Sequence, residues 1–407
     1  MSDVPQMGPG GWPGFDPAQL MRMLQSDGPV NWEVARQVAA WIARSDEGAS
    51  LLGTLPVPGG APVQPPVDPP IDTATTTAFD GIARAAQAAV AETTGLGEIN
   101  QVPVRVVGRG AWAEHTLTGL QPVLQALAET MQAPLTSALE DDEGPGTDPF
   151  AMLLPMLAPI LLGVQSGSMV GFLAQHALGQ YDLPLPIADP PQLAFVAENI
   201  DAFGEEWSLP ADELRYALAL RESVHAAQRS VGWVRDRLVR ASTEYVRAYE
   251  LRIEVLEEQF GDLDPSQLGE LGGAGPFGDP NALLGAMRSD KQEPLLEELQ
   301  RFVSVLEGYA DVVVDDLGRR MTSNFGQIDE AIRRHRITRG QAAAFVDRLL
   351  GLELDREHYE QGVAFCRGVI ERAGPDGLHR LWARESMVPT RNELDAPGLW
   401  LARIEFD

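Results

Sequence analysis

The fold of this chain is decided by a helical stretch near its middle, residues 208–230, which reads SLPADELRYALALRESVHAAQRS. Ser208 is placed to cap a helix, and Pro210 with two acidic residues follows in the first turn, where each favours helix initiation. The later apolar residues recur at the spacing of one helix face: Leu214, Ala217, Leu218, Val224 and Ala227. We therefore predict a long amphipathic helix that packs into a core.

Residues 221–225 of this helix, RESVH, place an acid and an imidazole on one face. Glu222 lies three residues before His225, and Arg221 lies one turn before it. In an HExxH helix, two histidines four residues apart bind zinc while the glutamate activates the zinc-bound water. Glu222 thus has the position of the general base, His225 that of the second ligand, and Arg221 that of the first. The pattern is weak alone, because a bare E-x-x-H pair also arises by chance.

A second pair of acids, Glu307 and Asp311 in the segment EGYAD, lies one turn apart on another predicted helix. This E-x-x-x-D spacing is how glutamate-type zincins supply a third zinc ligand and an acid that orients a ligating histidine. Acids four residues apart more often form a solvated face. The surrounding run FVSVLEGYADVVV is otherwise apolar, however, and inward carboxylates need a charged partner.

Together these segments resemble an actinobacterial family of zinc-dependent metalloproteases and hydrolases with a zincin-like fold. The resemblance covers residues 155–400 and the helix VNWEVARQVA near the N-terminus. Its other matching segments are VAENIDAFGEEWSLPADELRYALALRESVH, VGWVRDRL, LLGLELDRE and LW…MVPTRNELDAPG. It implies a mainly α, zincin-like helical domain with little or no sheet. The best candidate strand is VPVRVVG, residues 102–108.

The resemblance also implies roles for the site residues. Glu222 would be the catalytic base, and His225 and Glu307 would bind zinc. Asp311 and Tyr309 would support the ligands from behind. Because Arg221 replaces the first ligand, the chain falls in a subgroup of the family whose HExxH motif is degenerate.

Arginine at position 221 changes the chemistry of the site. A guanidinium cannot ligate zinc because it does not lose its proton. At about 5 Å from the metal and an effective dielectric constant of about 20–40, its charge opposes zinc binding by about 3–7 kcal/mol. The same cation can neutralise the carboxylates that a metal would otherwise satisfy. We therefore predict that Arg221 pairs with Glu307, Asp311 or Glu222 in a buried network that stands in for the metal.

Three interpretations of the site follow. The first is a degenerate site in a non-catalytic protein that binds a protein or peptide. The second is an active zinc-dependent metalloprotease or hydrolase that uses Glu222 as base, with His225 and Glu307 as ligands. The third is a coincidental surface pattern. Zinc is the cofactor that the family implies, and Arg221 argues against it.

The charge of the chain narrows its partners. Lys+Arg 31 against Asp+Glu 59 gives a formal net charge of -28, which repels nucleic acid and anionic lipid and favours a basic protein or peptide. The single Cys366 and the lack of an apolar signal segment at the N-terminus indicate the cytoplasm. The sequence indicates no oligomeric state.

The chain divides into segments of contrasting composition. We predict a disordered Gly/Pro-rich segment 1–28, a helix within 29–47, a Pro-rich linker over 48–75, and a helical domain over 76–400 with a mobile insertion at 261–290. Residues 150–162, FAMLLPMLAPILL, are too short to span a bilayer. A buried hairpin with a glycine stripe after it is predicted there.

The remaining candidate residues provide weaker evidence for a functional site. The arginine-rich run RRHRITR, residues 333–339, is interpreted as a solvated helix face that balances local acids rather than an anion site. The remaining histidines show no paired metal-ligand spacing: His115, His176, His335, His358 and His379.

Overall fold

The structure is a computed structural model. It describes residues 28–45, 67–141, 149–250, 287, 289–338 and 341–406. Nearly all of segment 1–28, most of the linker 48–75 and nearly all of the insertion 261–290 lie outside these residues, so the predicted domain division stays a prediction. The helix predicted within 29–47 is present, and the next helix begins at Thr73, so it includes the last three residues of the predicted linker.

The described residues are mainly α-helical, which confirms the predicted fold class. The first half contains α1 (Trp32–Ala43), α2 (Thr73–Thr94), β1 (Val104–Val107), α3 (Arg109–Asp141), α4 (Pro149–Ala174), β2 (Leu193–Val196), α5 (Ala197–Glu206), α6 (Ala211–Ser230) and α7 (Gly232–Arg247). The second half contains α8 (Gln292–Met321), α9 (Phe325–Ile337), α10 (Gln341–Leu350), α11 (Arg356–His379), α12 (Arg391–Asp395) and α13 (Pro397–Phe406).

The sheet in the described region has two parallel strands. β1 lies within the predicted strand segment, and its Val104 is opposite Leu193 of β2. β2 was not predicted, because its four apolar residues do not alternate and run directly into α5. Such a short, fully buried run cannot be told from the start of a buried helix by its pattern.

The apolar segment 150–162 is part of one continuous helix, so the predicted hairpin is wrong. Pro155 and Pro159 are four residues apart on α4 and therefore on one side of it, where each removes a backbone donor without ending the helix. The glycine stripe that follows packs against α1: a Cβ on Gly167 would lie 2.3 Å from the carbonyl oxygen of Ala35. Among the described residues, no helix is long and apolar enough to cross a membrane.

Helix α6 is the predicted central helix, and it packs against α2 and α8. It begins at Ala211, so the predicted cap at Ser208 is wrong. Ser208 has a φ of 50°, and Pro210 holds the cap position without a side-chain hydrogen bond. Proline's fixed φ suits a helix entrance and leaves the upstream serine in the turn.

Helix α8 approaches α11 at two glycines. A Cβ on Gly308 would lie 2.2 Å from the carbonyl carbon of Gly362, so any larger residue would push the helices apart. Gly308 directly follows Glu307. The close crossing therefore fixes the part of α8 that carries the predicted acid pair, and α6 packs on the same helix.

Candidate functional site

Helix α6 presents three polar residues at four-residue intervals, namely Arg221, His225 and Arg229. This spacing puts them on one face of the helix. Their exposed fractions are 5%, 0% and 2%, so all three are buried although two are arginines. Arginine is rarely buried without a partner, and the carboxylates beside Arg221 and His225 come from α8.

Arg221 pairs with the two predicted acids of α8. Its Nη2 donates to Oε2 of Glu307, and its Nη1 donates to Oδ1 of Asp311 at 2.8 Å. This confirms the prediction that Arg221 pairs with Glu307 or Asp311 in a buried network. Glu222, the third partner considered, does not take part, because neighbouring residues on a helix point in different directions.

A second arginine, Arg336 of α9, contacts the same two oxygens. Its Nη2 donates to Glu307 Oε2 at 2.8 Å and its Nη1 to Asp311 Oδ1 at 2.9 Å. Its side chain is 4% exposed and lies 4.4 Å from the ring centroid of Tyr359. We call Arg221, Arg336, Glu307 and Asp311 the arginine–carboxylate cluster. Interpreting residues 333–339 as a solvated face was wrong for Arg336, whose partners are on another helix.

The buried charges of the cluster stabilise one another. Burial raises the pKa of Glu307, but the positive charges of Arg221 and Arg336 outweigh it and hold that pKa well below its ordinary value. Burial lowers the pKa of Arg336, but Asp311 and Glu307 together raise it above the usual arginine value. Two guanidiniums therefore face two carboxyl groups in the cluster, and the shifts of Glu307 and Arg336 both favour their charged forms.

His225 lies beside the cluster, as predicted. Its Nε2 is 3.7 Å from Glu307 Oε1. Its Nδ1 is 3.1 Å from Oε1 of Gln228, whose own amide nitrogen donates to the carbonyl oxygen of Leu306 at 2.9 Å. The same Nδ1 is also 3.3 Å from Nη1 of Arg229. Burial lowers the pKa of His225 well below its ordinary value, so the ring is neutral.

Glu222 lies apart from these residues. Both of its carboxylate oxygens are 3.0 Å from the backbone N–H of Tyr181, which donates to them. Burial raises the pKa of Glu222 to about 8, against the lowering effect of this hydrogen bond, and the negative charge of Asp182 raises it further. The predicted general base is thus a buried carboxyl group held by a backbone amide.

Tyr309 does not support the site. It lies two residues after Glu307, so it points away from the cluster, and its ring packs edge-on against Trp382 at 5.0 Å between centroids. Nothing in the segment EGYAD distinguishes Tyr309 from its neighbours.

These residues do not fit a zinc ion. In the part of the chain that the structure describes, no group of three His, Cys, Asp or Glu side chains is arranged to hold a metal. A neutral His225 can offer one ring nitrogen to a metal. Glu307 and Asp311, however, direct their oxygens to two guanidiniums, and a guanidinium cannot ligate.

Two open grooves lie on the described surface along α3, with volumes of about 460 Å³ and 440 Å³, and Asp189 lines both. Helix α3 contributes a stripe at three- and four-residue intervals: Ala111, His115, Thr118, Pro122, Gln125 and Glu129. We call the two grooves together the α3 groove. None of the cluster residues lines it.

Comparisons with known proteins identify the family of this chain and a solved structure of similar fold. The family of zincin-like metallopeptidases matches residues 30–401, so the chain belongs to that family. The chain is also similar to a crystal structure of a presumed hydrolase with a novel fold from Chloroflexus aurantiacus. The TM-score is 0.56 and the identity 24%, over 93% of this chain and 99% of that chain. At this identity the likeness concerns the fold. No curated protein matches the chain significantly.

Proposed function

We propose that this chain is a non-catalytic member of the zincin-like metallopeptidase family, from an actinobacterial subgroup with a degenerate HExxH motif, and that it binds a protein or peptide in the cytoplasm. The observation that carries the proposal is the convergence of Arg221 and Arg336 on one oxygen each of Glu307 and Asp311. Two cations take the place at which a metal would satisfy these carboxylates.

Electrostatics supports this interpretation. A divalent metal in the cluster would meet two buried positive charges, and each would oppose it by about 3–7 kcal/mol at about 5 Å. Without a metal, the two guanidiniums already balance the two carboxylates. Breaking such a buried set by removing one partner is costly, so the cluster resists opening to admit a metal.

The state of Glu222 supports the loss of catalysis. A general base has to accept a proton from water, so it has to lie within reach of that water. Both oxygens of Glu222 instead accept from the Tyr181 N–H, and its 3% exposure keeps it from solvent. A carboxyl group with a pKa of about 8 is also mostly protonated at neutral pH.

The binding part of the proposal is supported by charge and shape. A net charge of -28 attracts basic partners over a distance set by the ionic strength. The α3 groove offers a surface, since the cluster itself is closed. Its polar lining, including Gln125, Asp189 and Glu129, suits hydrogen bonds to a peptide.

Metal content tests the first part of the proposal. We would purify the protein without chelator and measure zinc per chain in wild type, Arg221→His, Arg336→Met and the double variant. We expect zinc only in the double variant, because Arg336 still pairs with Glu307 and Asp311 when Arg221 alone is replaced. Zinc should then also raise the melting temperature of that variant relative to chelator.

Near-stoichiometric zinc in the wild type would contradict the proposal and support the active metalloprotease. Zinc in Arg221→His alone would leave the proposal standing but remove the role of Arg336. No zinc in the double variant would mean that these residues do not form a metal position.

Peptide binding tests the second part. We would measure fluorescence anisotropy with a labelled Lys/Arg-rich peptide and with a matched Glu/Asp-rich peptide. We expect binding of the basic peptide alone, weakened by salt and reduced at least about threefold by Asp189→Asn. Asp201→Asn, on the exposed face of α5, is the matched control. Equal binding of both peptides would contradict the charge argument.

A further inference from the structure

Arg229 of α6 is a buried cation outside the arginine–carboxylate cluster. Its Nη1 is 3.3 Å from the carbonyl oxygen of His225, and its guanidinium carbon lies 4.8 Å from the ring centroid of Tyr181. Within the described residues, no carboxylate comes within salt-bridge distance of it. Nη1 is also 3.3 Å from Nδ1 of His225, so the contacts of this guanidinium there are the Tyr181 ring and two atoms of His225, none of which carries a negative charge.

The unused donors of Arg229 share one edge of the guanidinium. Its Nε and Nη2 are both buried and have no hydrogen-bond partner among the described residues. The N–H bonds of these two nitrogens are parallel, and this edge is the one that binds the two oxygens of a carboxylate side by side. A buried group normally has its donors satisfied, so two on one edge indicate a ligand with two acceptors.

The neighbouring carboxylates are already engaged. Glu307 and Asp311 accept from Arg221 and Arg336, and the oxygens of Glu222 accept from the Tyr181 N–H. Arg229 is therefore the third cation in a region that has two ion-paired carboxylates. Burial of a cation without a counter-ion is strongly unfavourable, which calls for one further anion.

We propose that Arg229 binds a small carboxylate anion through its Nε–Nη2 edge, in two parallel hydrogen bonds beside the Tyr181 ring. The 2% exposure of Arg229 limits the ligand to the size of formate or acetate rather than a peptide side chain. This site uses neither Arg221 nor Arg336. It therefore goes beyond the proposed function and does not depend on whether the cluster admits zinc.

Thermal melting in sodium formate against sodium chloride at equal ionic strength tests the site. We expect saturating formate to raise the melting temperature of the wild type by at least about 2 °C over chloride. Arg229→Lys keeps the charge but lacks the two-donor edge, so it should lose this difference, as should Arg229→Gln. Arg240→Gln, a partly exposed arginine on α7, should keep it. Equal melting in the two salts, or a formate effect that survives in Arg229→Lys, would overturn the proposal.

If the Arg229 variants fail to fold, an NMR measurement on the wild type alone still tests the proposed site. The NMR line of ¹³C-formate should broaden on adding the protein, and unlabelled acetate should reverse the broadening by competition. A line that stays narrow would overturn the site. Acetate without effect on a broadened line would assign the broadening to non-specific binding and likewise overturn it. Neither result bears on the zinc content that tests the proposed function.

Discussion

Helix α9 carries two kinds of arginine ion pair only two residues apart. Arg334 pairs with Glu330 one turn earlier at 2.7 Å, and its side chain is 61% exposed. Arg336 pairs with Glu307 at 2.8 Å, and its side chain is 4% exposed. The two donor–acceptor distances are nearly equal. The Arg334 pair is exposed and its partner is on the same helix, whereas the Arg336 pair is buried and its partner is on α8.

The difference shows why distance alone does not measure an ion pair. The Arg334 pair is local and solvated, and such pairs contribute about 0–1 kcal/mol and weaken with salt. The Arg336 pair joins α9 to α8 inside the protein, where losing one partner leaves a charge without solvent, at a typical cost of about 3–5 kcal/mol. The exposed side of helix α9 therefore balances local charge, and its buried side joins α9 to α8.

The largest effect should come from removing both arginines of the cluster. We expect Arg221→Ala and Arg336→Ala each to lower the free energy of unfolding by about 3 kcal/mol, because the remaining arginine still pairs with both acids. The double variant leaves the buried Glu307 and the partly buried Asp311 without an arginine partner, so its loss should exceed the sum of the two. Urea unfolding at pH 7 measures all three.

Arg334→Ala is the matched control for this series. It removes the same side chain from the same helix and should change the free energy of unfolding by less than about 1 kcal/mol. An Arg334→Ala loss as large as that of Arg336→Ala would show that burial does not separate the two pairs. Strict additivity of the two cluster substitutions would show that the arginines act independently.

A smaller effect distinguishes the two buried glutamates. The folded protein holds the proton of Glu222 up to a pKa of about 8, whereas an ordinary glutamate releases it near 4.5. Unfolding between these values releases a proton, so stability from Glu222 is present at low pH and falls as pH rises, by at most about 1.4 kcal/mol per pH unit. Glu307 has the opposite sign, because its pKa is lowered and its contribution is lost on acidification.

Glu222→Gln keeps the acceptor for the Tyr181 N–H and cannot ionise. We expect it to be more stable than the wild type by about 4 kcal/mol at pH 8 and to show a flatter dependence on pH from 5 to 8. Thermal or urea unfolding across this range measures it. An identical pH dependence in the two proteins would mean that Glu222 is ionised in the folded state.

Local patterns in the sequence predicted much of the fold. Helical spacing identified α6 and α8, and the pairing of Arg221 with Glu307 and Asp311 followed from the need of inward acids for a cation. The same local reasoning assigned Arg334 correctly and Arg336 wrongly, because it treated the arginine-rich run as one face. Arg334 lies one turn after Glu330, whereas Arg336 lies one turn after Ile332 on the apolar face of α9. The position of Tyr309 and the continuation of α4 through two prolines also depend on contacts with other helices.

The sharing of two oxygens by two arginines has an evolutionary consequence under the proposed function. A lineage that regained histidine at position 221 would still carry Arg336 on the same carboxylates, so the first step would weaken the core without recovering a metal. Losing Arg336 first would be no better. Neither substitution alone would restore metal binding, and the two codons are far apart in the gene. Under the proposed function, Arg221 and Arg336 together therefore prevent metal binding from returning through single substitutions that selection could favour one at a time.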